Sequence, residues 1–110
     1  MTHLTTHILD ATRGAPAADV SVTLARHLPS SAAEPVAAGR TDADGRLAIG
    51  PDVLAPGTYA LTFATGEYFA ELGVEGFYPQ VTVTFTVTDE RHYHVPLLLS
   101  PFSYSTYRGS

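Results

Sequence analysis

Two histidines separated by a single residue lie near the end of the chain, at His92 and His94. Side chains alternate between the two faces of a β-strand, so both imidazoles lie on one face of a strand over 92–99. Histidine changes charge near neutral pH and serves as general base, general acid or metal ligand. The strand is therefore predicted to carry a polar site or a subunit interface on the face shared with Leu98. Its other face is predicted to be core: Tyr93, Val95, Leu97 and Leu99.

His7 occupies a comparable position on a predicted strand over 4–10, on the face opposite Leu4 and Ile8. His7, His92 and His94 can converge on one polar surface, or they can be three solvated surface histidines. A metal site is a further alternative, because catalytic zinc needs three protein ligands and a water. An obvious acidic or cysteine fourth ligand is absent, so no metal is predicted. The other two histidines have no partner in the sequence and are predicted to lie on the surface: His3 and His27.

The segment 40–45 contains the second group of chemically interesting residues. Asp42-Ala43-Asp44-Gly45 predicts a tight turn, since Asp-Gly tolerates positive φ. A calcium loop of the EF-hand type is excluded, because its sixth and twelfth positions would hold Leu47 and Val53. Arg40 precedes the turn at the end of a predicted strand. The sequence shows no nucleophile elbow and no glycine-rich phosphate loop.

Composition narrows the partners. The formal charge is −5, and the six basic residues are all arginines scattered along the chain, so a nucleic-acid surface is not expected. The chain has no cysteine, which excludes disulfides and favours a reducing compartment. No apolar run approaches the ~18 residues that a membrane helix needs. The first residues show no basic start and no apolar segment, so no secretory signal is expected and a cytoplasmic location is predicted.

The elements that position these residues are predicted to be almost entirely strands. Period-2 alternation bounded by turn residues indicates one all-β domain over 1–110, an antiparallel β-sandwich of about eight strands. One short helix is predicted near 67–72, ended by Gly73. A connection is predicted over 29–35, and Ser103 to Tyr107 can return beside the last long strand. The predicted strands are 4–10, 20–25, 36–41, 47–49, 58–64, 81–87, 92–99 and 103–107.

Five segments, taken in order along nearly the whole chain, closely resemble the 5-hydroxyisourate hydrolase family, the transthyretin-related enzymes of urate breakdown. The terminal Tyr107-Arg108-Gly109-Ser110 is the most specific of them, followed by His92-Tyr93-His94-Val95-Pro96-Leu97-Leu98-Leu99-Ser100-Pro101. Transthyretin, a hormone carrier, shares the fold but lacks the histidine corresponding to His94 and the terminal tetrapeptide. The other three segments are 4–10, 39–46 and 77–79.

This resemblance implies a transthyretin-like sandwich of two four-stranded sheets and a homotetramer built as a dimer of dimers. Active sites would lie in a channel between the dimers, lined by the faces that carry His7 and His94. The implied reaction is hydrolytic opening of the six-membered ring of 5-hydroxyisourate, giving 2-oxo-4-hydroxy-4-carboxy-5-ureidoimidazoline. No cofactor, nucleic acid or membrane is implied.

The same resemblance implies roles for individual residues. The catalytic set is His7, Arg40, His94 and Ser110, with water activated by one of the two histidines and the developing oxyanion held by Arg40. Substrate binding is assigned to His7 and Arg40 together with the tail residues Tyr107, Arg108 and Gly109. Gly109 is expected to bend the tail into the channel through positive φ. His92 is expected to support the site rather than to act in it.

Two other functions compete with hydrolysis. One is a carrier that binds an apolar, hormone-like ligand in the same channel, although His94 and the polar tail make that channel hydrophilic. The other is an interaction module without chemistry, which leaves the coincidence of His7, Arg40, His94 and the tail unexplained.

Overall fold

The computed structural model describes residues 2–29 and 33–110, which form two β-sheets and one short helix. One sheet has the order β2-β1-β8-β9, with β5 also paired to β1, and the other has the order β4-β3-β6-β7. This confirms the predicted sandwich. The elements in chain order are β1 (Leu4–Asp10), β2 (Ala15–Pro16), β3 (Ser21–His27), β4 (Glu34–Arg40), β5 (Arg46–Ala48), β6 (Gly57–Phe63), α1 (Thr65–Glu71), β7 (Val81–Val87), β8 (Tyr93–Ser100) and β9 (Ser103–Thr106).

The core lies between the two sheets and is built from alternating strand residues, as predicted. On β1 every second side chain from Leu4 is buried, and on β8 the residues at 93, 95, 97 and 99 are buried. The two sheets therefore enclose apolar side chains from both inner faces. The largest of these that are fully buried include Phe63, Leu4, Ile8, Leu24, Leu61, Leu97 and Leu99.

One strand pairing differs from the predicted antiparallel arrangement. β1 and β8 run parallel, in the register that pairs Leu4 with Tyr93 and Asp10 with Leu99, while every other pair is antiparallel. Alternation has the same period in either direction, so a hydrophobic pattern cannot reveal strand polarity. The parallel pair places the start of the chain beside a strand from near its end.

Two further boundaries depart from the sequence prediction. Ala15–Pro16 was predicted as turn but pairs with the last two residues of β1, at an edge where proline is tolerated. The connection predicted over 29–35 ends earlier, because β4 already begins at Glu34; its residues 30–32 lie outside the described part of the chain.

The predicted short helix is confirmed, although it begins two residues earlier, at Thr65. Tyr68 packs inward, whereas Leu72 is 41% exposed and lies outside the core. Gly73 follows in a left-handed conformation with φ of 70° and ends the helix as expected. Within the described residues, no helix has the length and apolar character needed to cross a membrane.

His3 was predicted to lie on the surface, and this prediction is wrong. Its side chain is buried, its Nδ1 accepts a hydrogen bond of 2.8 Å from the Leu54 backbone N–H, and its ring meets Tyr93 edge-on. Sequence neighbours give no sign of this contact, because Leu54 and Tyr93 are distant in the chain. His27 is exposed at the end of β3, as predicted.

The predicted turn at 42–45 is present and is anchored on β1. The Ile8 backbone N–H donates to the Gly45 carbonyl at 2.8 Å, and Gly45 itself has φ of 74°. A Cβ at this position would lie 2.5 Å from the Ile8 carbonyl oxygen. Glycine is thus required both by the backbone conformation and by the close approach of the turn to the strand.

We expect Gly45→Ala to lower the free energy of unfolding by roughly 2 kcal/mol or more, since left-handed strain and a backbone clash combine. Gly14→Ala is the matched control: Gly14 also has positive φ, but a Cβ there meets nothing within 4 Å. That variant should lose only about 1 kcal/mol. Thermal and denaturant unfolding measure both, and equal losses would show that the turn is not held against β1.

Candidate active site

Three neighbouring strands bring the predicted site residues together. The parallel register of β1 and β8 places Thr5 beside His94, and the antiparallel register of β1 and β5 places His7 opposite Arg46. Residues two apart on a strand share a face, so Thr5 and His7 present their side chains on the same side of the sheet. Both are half-buried on the face away from the core. The proximity of His7 and His94 predicted from alternation follows from these two registers.

Thr5 links the two histidines that flank Tyr93. Its Oγ1 lies 2.8 Å from Nε2 of His92 and 2.8 Å from Nδ1 of His94. The remaining ring nitrogen of His92, Nδ1, lies 3.2 Å from the carbonyl oxygen of Thr2. His92 therefore contacts the site through Thr5, in agreement with its predicted supporting position.

An open cleft of about 430 Å³ lies against this face of the sheet. His94 and Thr5 form one wall, and Arg40 comes from the end of β4 to form another. His7 lies beside the cleft on β1. The cleft is lined by Thr5, Thr6, Arg40, Asp42, Arg46, Leu47, Ala48 and His94.

Arg40 reaches the cleft because the residue that follows it is anchored in the core. Buried Thr41 donates through Oγ1 to the Ala17 carbonyl at 2.8 Å and accepts from the Val20 N–H at 2.9 Å. The Arg40 guanidinium is held by Asp19, whose carboxylate accepts from Nε at 2.7 Å and whose carbonyl accepts from Nη2 at 3.1 Å. The hydrogen bond to Asp19 and its charge raise the pKa of Arg40 above its usual value, so the guanidinium stays charged.

Asp42 organises the other side of the loop. Its carboxylate accepts from the backbone N–H of Asp44 at 2.9 Å and of Arg46 at 3.0 Å. The hydrogen bond from the Arg46 N–H, with that from Asp44 and the charges of Arg46 and His7, lowers the pKa of Asp42. This carboxylate therefore remains ionised and directs Arg46 toward His7.

His94 is the titratable group whose environment favours the neutral form. Its pKa is lowered below the usual histidine value, first by burial and then by the charges of His7, His92 and Arg46. A depressed pKa keeps the imidazole unprotonated at neutral pH, which leaves one ring nitrogen able to accept a proton. The geometry thus suits His94 to general-base chemistry.

The chain end is held against His94. The Gly109 backbone N–H donates to the His94 carbonyl at 2.8 Å, so the tail forms a bridge to β8. The positive φ expected for Gly109 is wrong, since Gly109 is not among the positive-φ residues of the described chain. Glycine is needed there for space instead: a Cβ would lie 2.5 Å from Cδ2 of the His94 ring.

The remaining tail residues lie apart from the cleft within one chain. The Arg108 guanidinium stacks over the Tyr93 ring at 4.3 Å, and both Tyr107 and Arg108 line a second depression of about 250 Å³. Ser110 is exposed at the chain end. The roles predicted for Tyr107, Arg108 and Ser110 therefore stay predictions, and they need a surface that faces this tail.

The histidines are not arranged around a common metal position. His92 and His94 both direct a ring nitrogen at the Thr5 hydroxyl, which occupies the space between them. Across residues 2–29 and 33–110, no group of three or more His, Cys, Asp or Glu side chains is placed to hold a metal ion.

Sequence reasoning assigned no role to Thr5, Asp19 or Arg46. Thr5 shares a face with His7 two residues away, and that spacing was the available signal. Arg46 stands within the segment 39–46, opposite His7. Asp19 gave no signal, because its contact with Arg40 depends on how the segment before β3 lies against the end of β4.

Comparison with known proteins places the chain among similar sequences. The chain is 47% identical over 111 residues to a 5-hydroxyisourate hydrolase of Mus musculus, covering 97% of this chain and 94% of that protein. It is also 47% identical over 117 residues to the 5-hydroxyisourate hydrolase of Caulobacter vibrioides, with full coverage of both.

Solved structures agree. A Klebsiella pneumoniae 5-hydroxyisourate hydrolase superposes with a TM-score of 0.86 at 41% identity, covering 97% of this chain and 98% of that one. Sea bream transthyretin in complex with thyroxine gives a TM-score of 0.90 at 33% identity, with coverage of 97% and 94%. A model of the HIUase/transthyretin family matches residues 4–109. The chain therefore belongs to the HIUase/transthyretin family.

Proposed function

We propose that this chain is a 5-hydroxyisourate hydrolase, which opens the substrate ring hydrolytically to give 2-oxo-4-hydroxy-4-carboxy-5-ureidoimidazoline. The observation that carries the proposal is the placement of His94 and Arg40 on one cleft, with the tail bound to the His94 backbone. Relatives that are 41–47% identical over nearly their whole length carry that name. Within a family that includes both hydrolases and a carrier, these residues favour chemistry.

The reaction requires water to attack a ring carbonyl and a C–N bond to break. Neutral His94 takes a proton from the water as its oxygen bonds to carbon, which is worth roughly 10²- to 10⁴-fold in rate. The carbonyl oxygen becomes negative and accepts hydrogen bonds from Arg40. The proton then passes to the departing ring nitrogen, so the enzyme returns to its starting state.

Arg40 is suited to hold the oxyanion because part of its guanidinium is already fixed. Asp19 occupies the Nε hydrogen and one Nη2 hydrogen. The guanidinium has five N–H donors in a rigid plane, which leaves the others available in a set direction. A preorganised donor of this kind contributes about 10²-fold or more to the rate.

A carrier function is the competing proposal, because the sea bream transthyretin structure is described as a complex with thyroxine. The cleft of this chain presents an imidazole, two guanidinium groups and a carboxylate, from His94, Arg40, Arg46 and Asp42. Such a lining suits a polar heterocycle better than an apolar hormone.

The proposed assembly is a homotetramer, a dimer of dimers, in which a facing sheet closes the cleft. Leu98 is 37% exposed on the same face as His94, and Phe102, Tyr104 and Tyr107 are exposed near the chain end. Apolar side chains at these positions gain from cover. The proposed location is the cytoplasm, supported by the absence of cysteine from the sequence and testable by cell fractionation.

Freshly oxidised urate supplies the substrate, and the decay of its absorbance in the presence of enzyme measures hydrolysis. We expect Arg40→Lys to lower kcat by about 10²-fold, because the planar fork is lost while the charge remains. The melting temperature should change little, since the Arg40 side chain is exposed. Arg26→Lys is the matched control on β3, where Arg26 contacts the Pro56 carbonyl and the Tyr59 ring. Failure of the unmodified protein to accelerate the decay would refute the function.

The tail gives a second prediction. Removing residues 108–110 should abolish most hydrolysis, although it costs little stability because only one backbone hydrogen bond and one stacking contact are lost. Gly109→Ala should have a similar effect by displacing the His94 ring. Gly14→Ala, which lies at the other end of β1, controls for the added methyl group. Full activity in both tail variants would mean that the tail is a frayed end.

The assembly gives a third prediction. Light scattering at micromolar concentration should report a mass near four chains, because the exposed apolar face needs a partner. Leu98→Asp should shift the protein toward smaller species and lower its activity, since charge at the interface is costly to bury. A monomeric and fully active wild-type protein would rule out a site closed between subunits.

A further inference from the structure

The chain of contacts from Thr2 through His92 and Thr5 to His94 has a direction that the chemistry of its end group fixes. A backbone carbonyl oxygen only accepts hydrogen bonds. The Thr2 carbonyl lies 3.2 Å from His92 Nδ1, so that nitrogen carries the hydrogen. In a neutral imidazole the other nitrogen, Nε2, is then the acceptor.

The same logic passes through Thr5. A hydroxyl has one hydrogen, and His92 Nε2 at 2.8 Å requires it. The lone pairs of Oγ1 must therefore accept from the group on the other side, His94 Nδ1, which is also at 2.8 Å. His94 then carries its hydrogen on Nδ1 and leaves Nε2 bare.

We propose that Thr5 and His92 are positioning residues that fix the tautomer of His94, so that its Nε2 is the general base of the reaction. This inference rests on the proposed function, and it selects His94 over His7 as the group that takes the proton from water. Within the described residues Nε2 of His94 has no hydrogen-bond partner, which leaves it free for water. His7 acts on the site through its charge and through contact with substrate.

Surrounding groups favour this neutral state from each packed element. His7 comes from β1, Arg46 from β5 and His92 from the segment before β8, and the charge of each disfavours an imidazolium at His94. The tail reinforces the orientation. Gly109 packs against Cδ2, the carbon beside Nε2, so the ring cannot rotate toward the tail without a clash.

Protonating His92 would reverse the chain. Both of its nitrogens would then donate, the Thr5 oxygen would accept from Nε2, and the Thr5 hydrogen would pass to His94 Nδ1. His94 would carry its hydrogen on Nε2 and would lose its base. His92 thus has an effect on catalysis without touching the substrate, which a merely structural role would not produce.

Three variants separate these roles. Thr5→Val keeps the branched shape required on a strand and removes the hydroxyl, whereas Thr5→Ser keeps the hydroxyl and serves as the matched control. His92→Phe keeps an aromatic ring at an exposed position and removes both nitrogens. We expect Thr5→Val and His92→Phe to lower kcat by about 10²-fold with little change in KM, because the base is no longer held in its active tautomer. Thr5→Ser should retain most of the wild-type kcat.

Nitrogen NMR of protein labelled at histidine reports directly which ring nitrogen carries the hydrogen. Wild type and Thr5→Ser should show the hydrogen of His94 on Nδ1 at neutral pH, and Thr5→Val should show a shift toward Nε2. Finding the hydrogen on Nε2 in the wild type would overturn the inference, as would an unchanged kcat in Thr5→Val. The tautomer is measured without substrate, so a protein that shows the Nδ1 tautomer but fails to hydrolyse 5-hydroxyisourate would refute the proposed function alone.

Discussion

The parallel ladder between β1 and β8 is the constraint on which the site depends. It pairs Thr5 with His94 and thereby brings together groups from the two ends of the chain. A slip of one residue would move Thr5 to the neighbour of a core position and would turn its hydroxyl away from the histidines. The register is held by the buried faces of both strands, so core packing and site geometry are specified by the same interaction.

The loop between β4 and β5 is the second part of the site, and it too is tied to the core. Thr41 is buried and bonded on both sides, while Gly45 rests against the β1 backbone. These anchors leave Arg40 and Asp42 directed outward at fixed positions. The polar lining of the cleft is thus mounted on backbone that cannot shift without disturbing the sandwich, which is the preorganisation that electrostatic stabilisation needs.

Hydrogen-bond direction adds a level of control that distance alone does not provide. A carbonyl, an imidazole, a hydroxyl and a second imidazole follow one another, and the acceptor-only group at one end fixes the protonation of the group at the other. Carboxylate–histidine pairs in other enzymes hold a tautomer in a comparable way. Here the terminal acceptor is a backbone carbonyl, which does not titrate, so the direction depends on His92 alone.

The sequence by itself determined the alternating faces of 4–10 and 92–99, the turn at 42–45, the short helix and the family resemblance, because these depend on local periodicity and on motifs. It also indicated His7, His94 and Arg40 as site residues. It could not determine that β1 and β8 run parallel, that His3 is buried against Leu54, or that Asp19 holds Arg40. Those features join residues far apart in the chain. The reason why Gly109 must be glycine was likewise decided by tertiary structure: the backbone needs no unusual φ, but the His94 ring leaves no room for a methyl group.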